Sequence, residues 1–142
     1  MSFEYLIVEA DGASRGNPGP AAGGAVVIDP ATGKILVTLG VLCGVASNNV
    51  AEYRGMIEGI KAAWSMQADA RLHVFLDSKL VVEQMSRRWK IKHPDMQTLA
   101  REARQIIGDL DVTFEWIPRE KNARADAAGN VALDRGVSYR ET

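Results

Sequence analysis

An internal disulfide is closed to this chain, because its 142 residues hold a single cysteine, Cys43. It lies in an apolar stretch and fits a small buried hydrophobe in a reducing compartment. No apolar run approaches the roughly 20 residues that a membrane-spanning helix needs. The N-terminus carries Glu4 and Glu9 where a secretory leader would be basic. The expectation is a soluble, cytoplasmic monomer with no membrane partner. An excess of charge is also missing: 17 Lys and Arg against 18 Asp and Glu give a net charge of -1. Nothing global therefore announces a polyanion partner, and any affinity for nucleic acid has to come from a local patch. Repeats, low-complexity runs and linkers are absent as well. One domain over residues 1–142 is expected, and 46% apolar composition is enough for its core. The chain stops soon after its last helical pattern, at SYRET, so it could be the N-terminal part of a longer protein.

What is present is a clear order of elements. FEYLIVEA, AAGGAVVID and KILVTLGVL read as three sequential strands, the last two separated by the turn DPATG, which suggests an antiparallel meander. From Asn48 the period changes to helical. Val50, Tyr53, Ile57, Ile60 and Trp64 form one stripe, and Ala51, Gly55, Gly59 and Ala63 form a small-residue face beside it. RLHVFL is a fourth strand, followed by a helix over Leu80 to Met85 capped by Asp77 or Ser78. An amphipathic helix over Met96 to Leu110, the strand VTFEWI and a helix over Ala123 to Arg135 complete the chain. The sum is an α/β fold, a mixed five-stranded sheet flanked by helices.

In this layout Asp11 and Asp77 each end a strand. Glu52 lies in the first turns of the long helix and Asp126 near the start of the last one. Taken singly, Asp77 is equally a helix cap, Asp126 a residue favoured by a helix dipole, and Glu52 a solvated helix residue. Spacing does not choose between these roles and a site. The stretch EADGASRGNPGP after the first strand is a tight loop of turn-formers, which by itself fits an ordinary hairpin connection.

The surrounding words do choose. DGASRGNPG at 11–19, SNNVAEYRG at 47–55, DSKLVVEQ at 77–84 and REKNARADAAGN at 119–130 occur in one order over nearly the whole chain. Together they closely resemble the type 1 ribonuclease H family. The resemblance implies the ribonuclease H-like fold and hydrolysis of the RNA strand of RNA-DNA hybrids, leaving 5'-phosphate and 3'-hydroxyl ends. It also implies that Asp11, Glu52, Asp77 and Asp126 are the metal-binding catalytic carboxylates. The chemistry agrees, since hard divalent cations take oxygen ligands. Two ions about 4 Å apart can activate a water and stabilise the leaving oxygen. Magnesium is the expected cofactor, as two ions, with manganese as an alternative. No protein nucleophile is needed at Ser14, Ser78 or Cys43.

The same resemblance assigns Ser14, Gly16, Asn17 and Asn48 to the RNA strand and its 2'-hydroxyls, the group that tells RNA from DNA. It places Ser47 and Asn49 on a DNA-strand phosphate, although capping of the helix is an equal use of these residues. Three departures stand out. The loop WIPREKNARAD holds no histidine, where many relatives place one. Lys79 stands where relatives often carry glutamine, at a minor-groove contact. RRWKIKHP at 87–94 resembles a shortened form of a basic protrusion that grips the hybrid, with Trp89 either stacking on substrate or buried in the core. The rival functions are a catalytically weak hybrid-binding module, which would usually lack one of the four acids, and another nuclease of the same fold, such as a resolvase or an integrase.

Overall fold

A computed structural model describes residues 2–142. The first three strands, β1 (Tyr5–Ser14), β2 (Gly19–Ile28) and β3 (Ile35–Ala46), form the antiparallel meander. Helix α1 (Asn48–Met66) crosses the sheet, and β4 (Arg71–Leu76) returns parallel to β1. Helices α2 (Lys79–Met85) and α3 (Pro94–Ile107) follow, then β5 (Val112–Trp116) parallel to β4. A single 3-10 turn at Arg119–Lys121 precedes α4 (Ala123–Arg135), and β6 (Tyr139–Glu141) closes the chain. The strand order is β5-β4-β1-β2-β3-β6.

The sheet thus has six strands, not the expected five. β6 pairs antiparallel with Thr38 to Gly40 of β3 after Gly136, at a left-handed φ of 68°, ends α4. Three residues are too few for an alternation to be read from sequence. Their place is fixed by contacts distant in the chain: the Tyr139 hydroxyl donates to the Ala128 carbonyl at 3.0 Å, and Arg135 lies over its ring. A second correction concerns β1, which does not stop near Asp11. Its pairing with β2 continues through Gly12 and Ala13 to Ser14 opposite Ala21. Small residues are weak strand formers alone, yet the ladder carries them when the partner strand is already in register. The third helix runs from Pro94 to Ile107, where Met96 to Leu110 was expected, and Gly108 at φ 53° ends it.

Successive residues of β1 alternate between the two faces of the sheet. Leu6, Val8 and Ala10 join Tyr53, Met56, Ile57 and Ile60 of α1 in the main core. The other face receives α4. Both helices lie unusually close to the strands, and two glycines show why. A methyl group on Gly12 would strike the backbone nitrogen of Glu52 and lie 2.6 Å from the Ala51 carbonyl carbon. One on Gly24 would strike the Ala125 carbonyl and the Gly129 nitrogen of α4. The small-residue stripe of α1 serves the same close approach.

Candidate metal centre

β1 and β4 run side by side up to the pair Ala10 and Leu76. Asp11 and Asp77 are the next residues on the two strands. There β4 ends and the chain turns into α2, so the sheet opens beside β1. Helices from both faces can reach into that gap. α1 brings Glu52, its fifth residue, and α4 brings Asp126 in its first turn.

Carboxylate oxygens of Asp11, Glu52 and Asp77 all lie within 4.8 Å of one another. Asp126 adjoins Asp11 and adds to the negative charge and hydrogen bonding around it. Asp11 and Glu52 are almost fully buried, at 6% and 5% exposure. Burial, followed by the charge of Asp77, pushes the Asp11 carboxyl from 3.8 up to about 8, although the Gly12 N–H donating at 2.9 Å works against this. Burial, followed by the charges of Asp11 and Asp77, pushes Glu52 from 4.5 up to about 9, opposed by the Ser78 backbone N–H. Among the described residues none of the four acids is in an ion pair with a protein cation. Glu52 Oε1 is buried without any hydrogen-bond partner. Such an orphaned acceptor is costly unless something positive faces it. A hard divalent cation fits this donor set of oxygens alone.

Asp77 is held from two sides. Asn122 Nδ2 donates to its Oδ2 at 3.2 Å, and Trp116 Nε1 donates to its backbone carbonyl at 3.0 Å. Asn130 Nδ2 donates to Asp126 Oδ1 at 3.3 Å and to its carbonyl at 3.0 Å. Asn122 escaped the reading of the sequence. It is fully buried, and its Nδ2 also donates to the Ala10 carbonyl at 2.9 Å, tying the start of α4 to β1 and to Asp77. Its one visible signal was an asparagine just before a helix, a position that suggests a cap, yet it makes no side-chain cap bond. Glu9 was missed too, although an acid between Val8 and Ala10 in an apolar strand called for a partner. Arg124 supplies one, with Nε and Nη2 donating to the two Glu9 oxygens at 3.1 and 3.0 Å.

The expected substrate residues fall into two groups. Asn17 and Asn48 are brought together, the Asn48 N–H donating to Asn17 Oδ1 at 3.1 Å, so the turn after β1 is docked on the start of α1. Gly16 sits in that exposed turn at φ 90°. The Ser14 hydroxyl lies 2.7 Å from the carbonyls of both Gly16 and Ala46, which engages it in closing the loop. Ser47 caps α1 by accepting from the Val50 N–H at 3.2 Å, and Asn49 follows half-buried in the first turn. Lys79 is exposed at the start of α2, two residues from Asp77. Trp89 does not join the cluster. It is 46% exposed in the loop at the far end of α2, a helix of seven residues and so about 10 Å long. That loop has no helix of its own, as its length suggested. Arg87, Trp89 and Lys90 line an open groove there with Arg101 and Arg104 of α3.

A family model described as reverse transcriptase-like matches residues 9–132. A bifunctional protein of Mycobacterium tuberculosis is 47% identical over 130 residues, 91% of this chain but only 35% of its own length. The chain therefore spans about a third of that relative. Ribonuclease H1 from the halophilic archaeon Halobacterium salinarum superposes with a TM-score of 0.86 at 38% identity, over 92% of this chain and 98% of that one. The structure of LC11 ribonuclease H1 in complex with an RNA/DNA hybrid does so with a TM-score of 0.86 at 35% identity, over the same shares. The family model spans most of the chain, and these likenesses cover nine-tenths of it, so this chain belongs to the type 1 ribonuclease H family.

Proposed function

We propose that the chain is a magnesium-dependent endonuclease that hydrolyses the RNA strand of RNA-DNA hybrids. The observation that carries this is the trio of buried Asp11 and Glu52 with half-buried Asp77, their oxygens within 4.8 Å and, among the described residues, in no ion pair with a protein cation. The hybrid held by the LC11 relative, and the family's activity, support the choice of substrate. Asp11, Glu52, Asp77 and Asp126 would hold the metal. Two bound ions, magnesium or in its place manganese, would supply an activated water and charge neutralisation at the leaving 3'-oxygen.

The chain's own residues do the remaining work. Asn122 and Trp116 keep Asp77 in place, the Gly12 N–H orients Asp11, and Glu52 Oε1, buried without a hydrogen-bond partner, is left as an acceptor for a cation. Among the described residues no covalent nucleophile is poised: Ser78 accepts from the Val81 N–H as a helix cap, and Cys43 is half-buried on β3. The turn at Gly16 and Asn17 and the start of α1 at Ser47, Asn48 and Asn49 form one continuous polar surface. It is suited to a sugar-phosphate strand with 2'-hydroxyls, with phosphate near the helix N-terminus.

Labelled RNA-DNA hybrid, RNA duplex and DNA duplex, each incubated with the protein and magnesium, test this reading. The RNA of the hybrid should be cut to 5'-phosphate and 3'-hydroxyl ends, and replacing its 2'-hydroxyls with hydrogen should stop the reaction. A DNA duplex cut at a comparable rate would overturn the assignment, and binding without cutting would favour a silent hybrid-binding module.

A further inference from the structure

Two charged residues flank the carboxylate cluster without belonging to it. Glu9 lies two residues before Asp11 on β1 and so on the same face of the sheet. Arg124 lies two residues before Asp126 in the first turn of α4. Glu9 is 8% exposed, and a fifth acid this near to four others raises their mutual repulsion unless a cation answers it. Arg124 does so with both arms of its guanidinium, Nε to Oε1 at 3.1 Å and Nη2 to Oε2 at 3.0 Å. A two-pronged pair of this kind fixes direction as well as distance.

Direction is what the first turn of α4 otherwise lacks. The contact of Ala125 and Gly129 with Gly24 sets the height of the helix above the sheet, and Asn122 pins one side through the Ala10 carbonyl. Positions 122 and 124 lie roughly 200° apart around a helix, so the Glu9 pair braces the opposite side. Rotation of α4 about its axis would swing Asp126 away from Asp11, and the two anchors together prevent it.

We propose that Glu9 and Arg124 are positioning residues that hold Asp126 against Asp11 and thereby set the affinity of the cluster for divalent cations. The inference rests on the metal-binding reading above. An ion pair that merely stabilised the fold would leave that affinity alone.

Calorimetric titration of the protein with manganese, without nucleic acid, distinguishes the two. Glu9→Gln and Arg124→Gln should each weaken manganese binding about tenfold, the usual effect of losing a partner that orients a ligand. The double variant should be no weaker than either single one, because both remove the same constraint. Arg124→Lys, which keeps the charge but not the two-pronged geometry, should fall between. Hybrid cleavage followed in parallel should need correspondingly more manganese to reach half its maximal rate. Thermal unfolding followed in parallel reports stability. A lowered melting temperature with manganese affinity changed less than about twofold would overturn the proposal. Should the glutamine variants fail to fold, Arg124→Lys and Glu9→Asp decide by the same titration. A parent protein that binds no manganese would refute the metal-binding reading itself, a result distinct from failure of the variants alone.

Discussion

The carboxylate cluster and the basic loop stand at opposite ends of α2, and they are built in opposite ways. Asp11, Glu52 and Asp77 come from three elements, are buried or half-buried, and are tied by Asn122, Trp116 and backbone N–H groups. The loop from Arg87 to His93 comes from one stretch of chain and leaves Arg87, Trp89, Lys90 and Lys92 in solvent. Arg88 is engaged there by Glu83 at 2.6 Å, His93 caps α3, and Gln97 donates to the Ile91 carbonyl at 2.7 Å. The difference follows from the physics each region would serve under the proposed function. Convergent like charges persist only where the fold forces them together, because their repulsion and desolvation oppose the arrangement. Attraction to a polyanion needs only positive charge near the surface, and solvated lysines provide it without a fixed geometry.

The sharpest way to separate the two regions is to remove one of the proposed metal ligands. Asp11→Asn or Asp77→Asn should lower turnover by about 4 kcal/mol of transition-state stabilisation, roughly a thousandfold. Hybrid affinity measured in calcium should largely survive, because backbone contacts elsewhere remain. Equal losses of binding and turnover would dissolve the division between chemistry and grip.

A second test uses the strain stored in the cluster. Asp11 and Glu52 have carboxyl pKa values raised from 3.8 and 4.5 to about 8 and about 9 in the folded protein without metal. A raised folded value means that their contribution to stability is fully present below about pH 4, falls above it, and is lost once the pH passes 8 to 9. The metal-free protein should accordingly melt several degrees lower at pH 9 than at pH 6. Calcium favours the ionised carboxylates, so the increase in melting temperature that it causes should grow over the same interval. A calcium effect independent of pH would contradict the described electrostatics. The basic loop, with no buried acid, should contribute nothing to this dependence.

The smallest effect is expected at the loop. Neutralising Arg87, Lys90 and Lys92 together should weaken hybrid binding and flatten its salt dependence by at most about one unit of slope per lost phosphate contact. Arg88 is left in place because Glu83 already engages it. The rate at saturating hybrid should hold while the half-saturating concentration rises, since such contacts favour ground state and transition state alike. An unchanged salt slope would make the loop a solvated connection and leave the surface around Asn17 and Asn48 as the main grip.

Much of this protein was legible in local pattern. Alternation and β-branched residues marked five strands, helical spacing marked four helices, and the words around Asp11, Glu52, Asp77 and Asp126 marked the acids. The small-residue stripe of α1 announced a close approach, and Gly12 and Gly24 show how close it is. Local pattern also misled where pairing overrides propensity. Gly12 and Ala13 read as a turn, but β2 holds them in the ladder. The three residues of β6 carry no pattern at all until β3 offers them an edge.

What the sequence by itself determined is the order and type of every element but β6, because these depend on neighbours in the chain, while the four acids it offered only through the resemblance of the words around them. The tertiary structure alone decided that β1 runs on past the pairing of Ala10 with Leu76, where β4 stops, opening a gap into which α1 and α4 could bring Glu52 and Asp126. It alone joined Asn122 to Asp77 across 45 positions and Arg124 to Glu9 across 115. Such bonds leave no periodic trace, since two side chains far apart in the chain are matched only by the packing that carries them together.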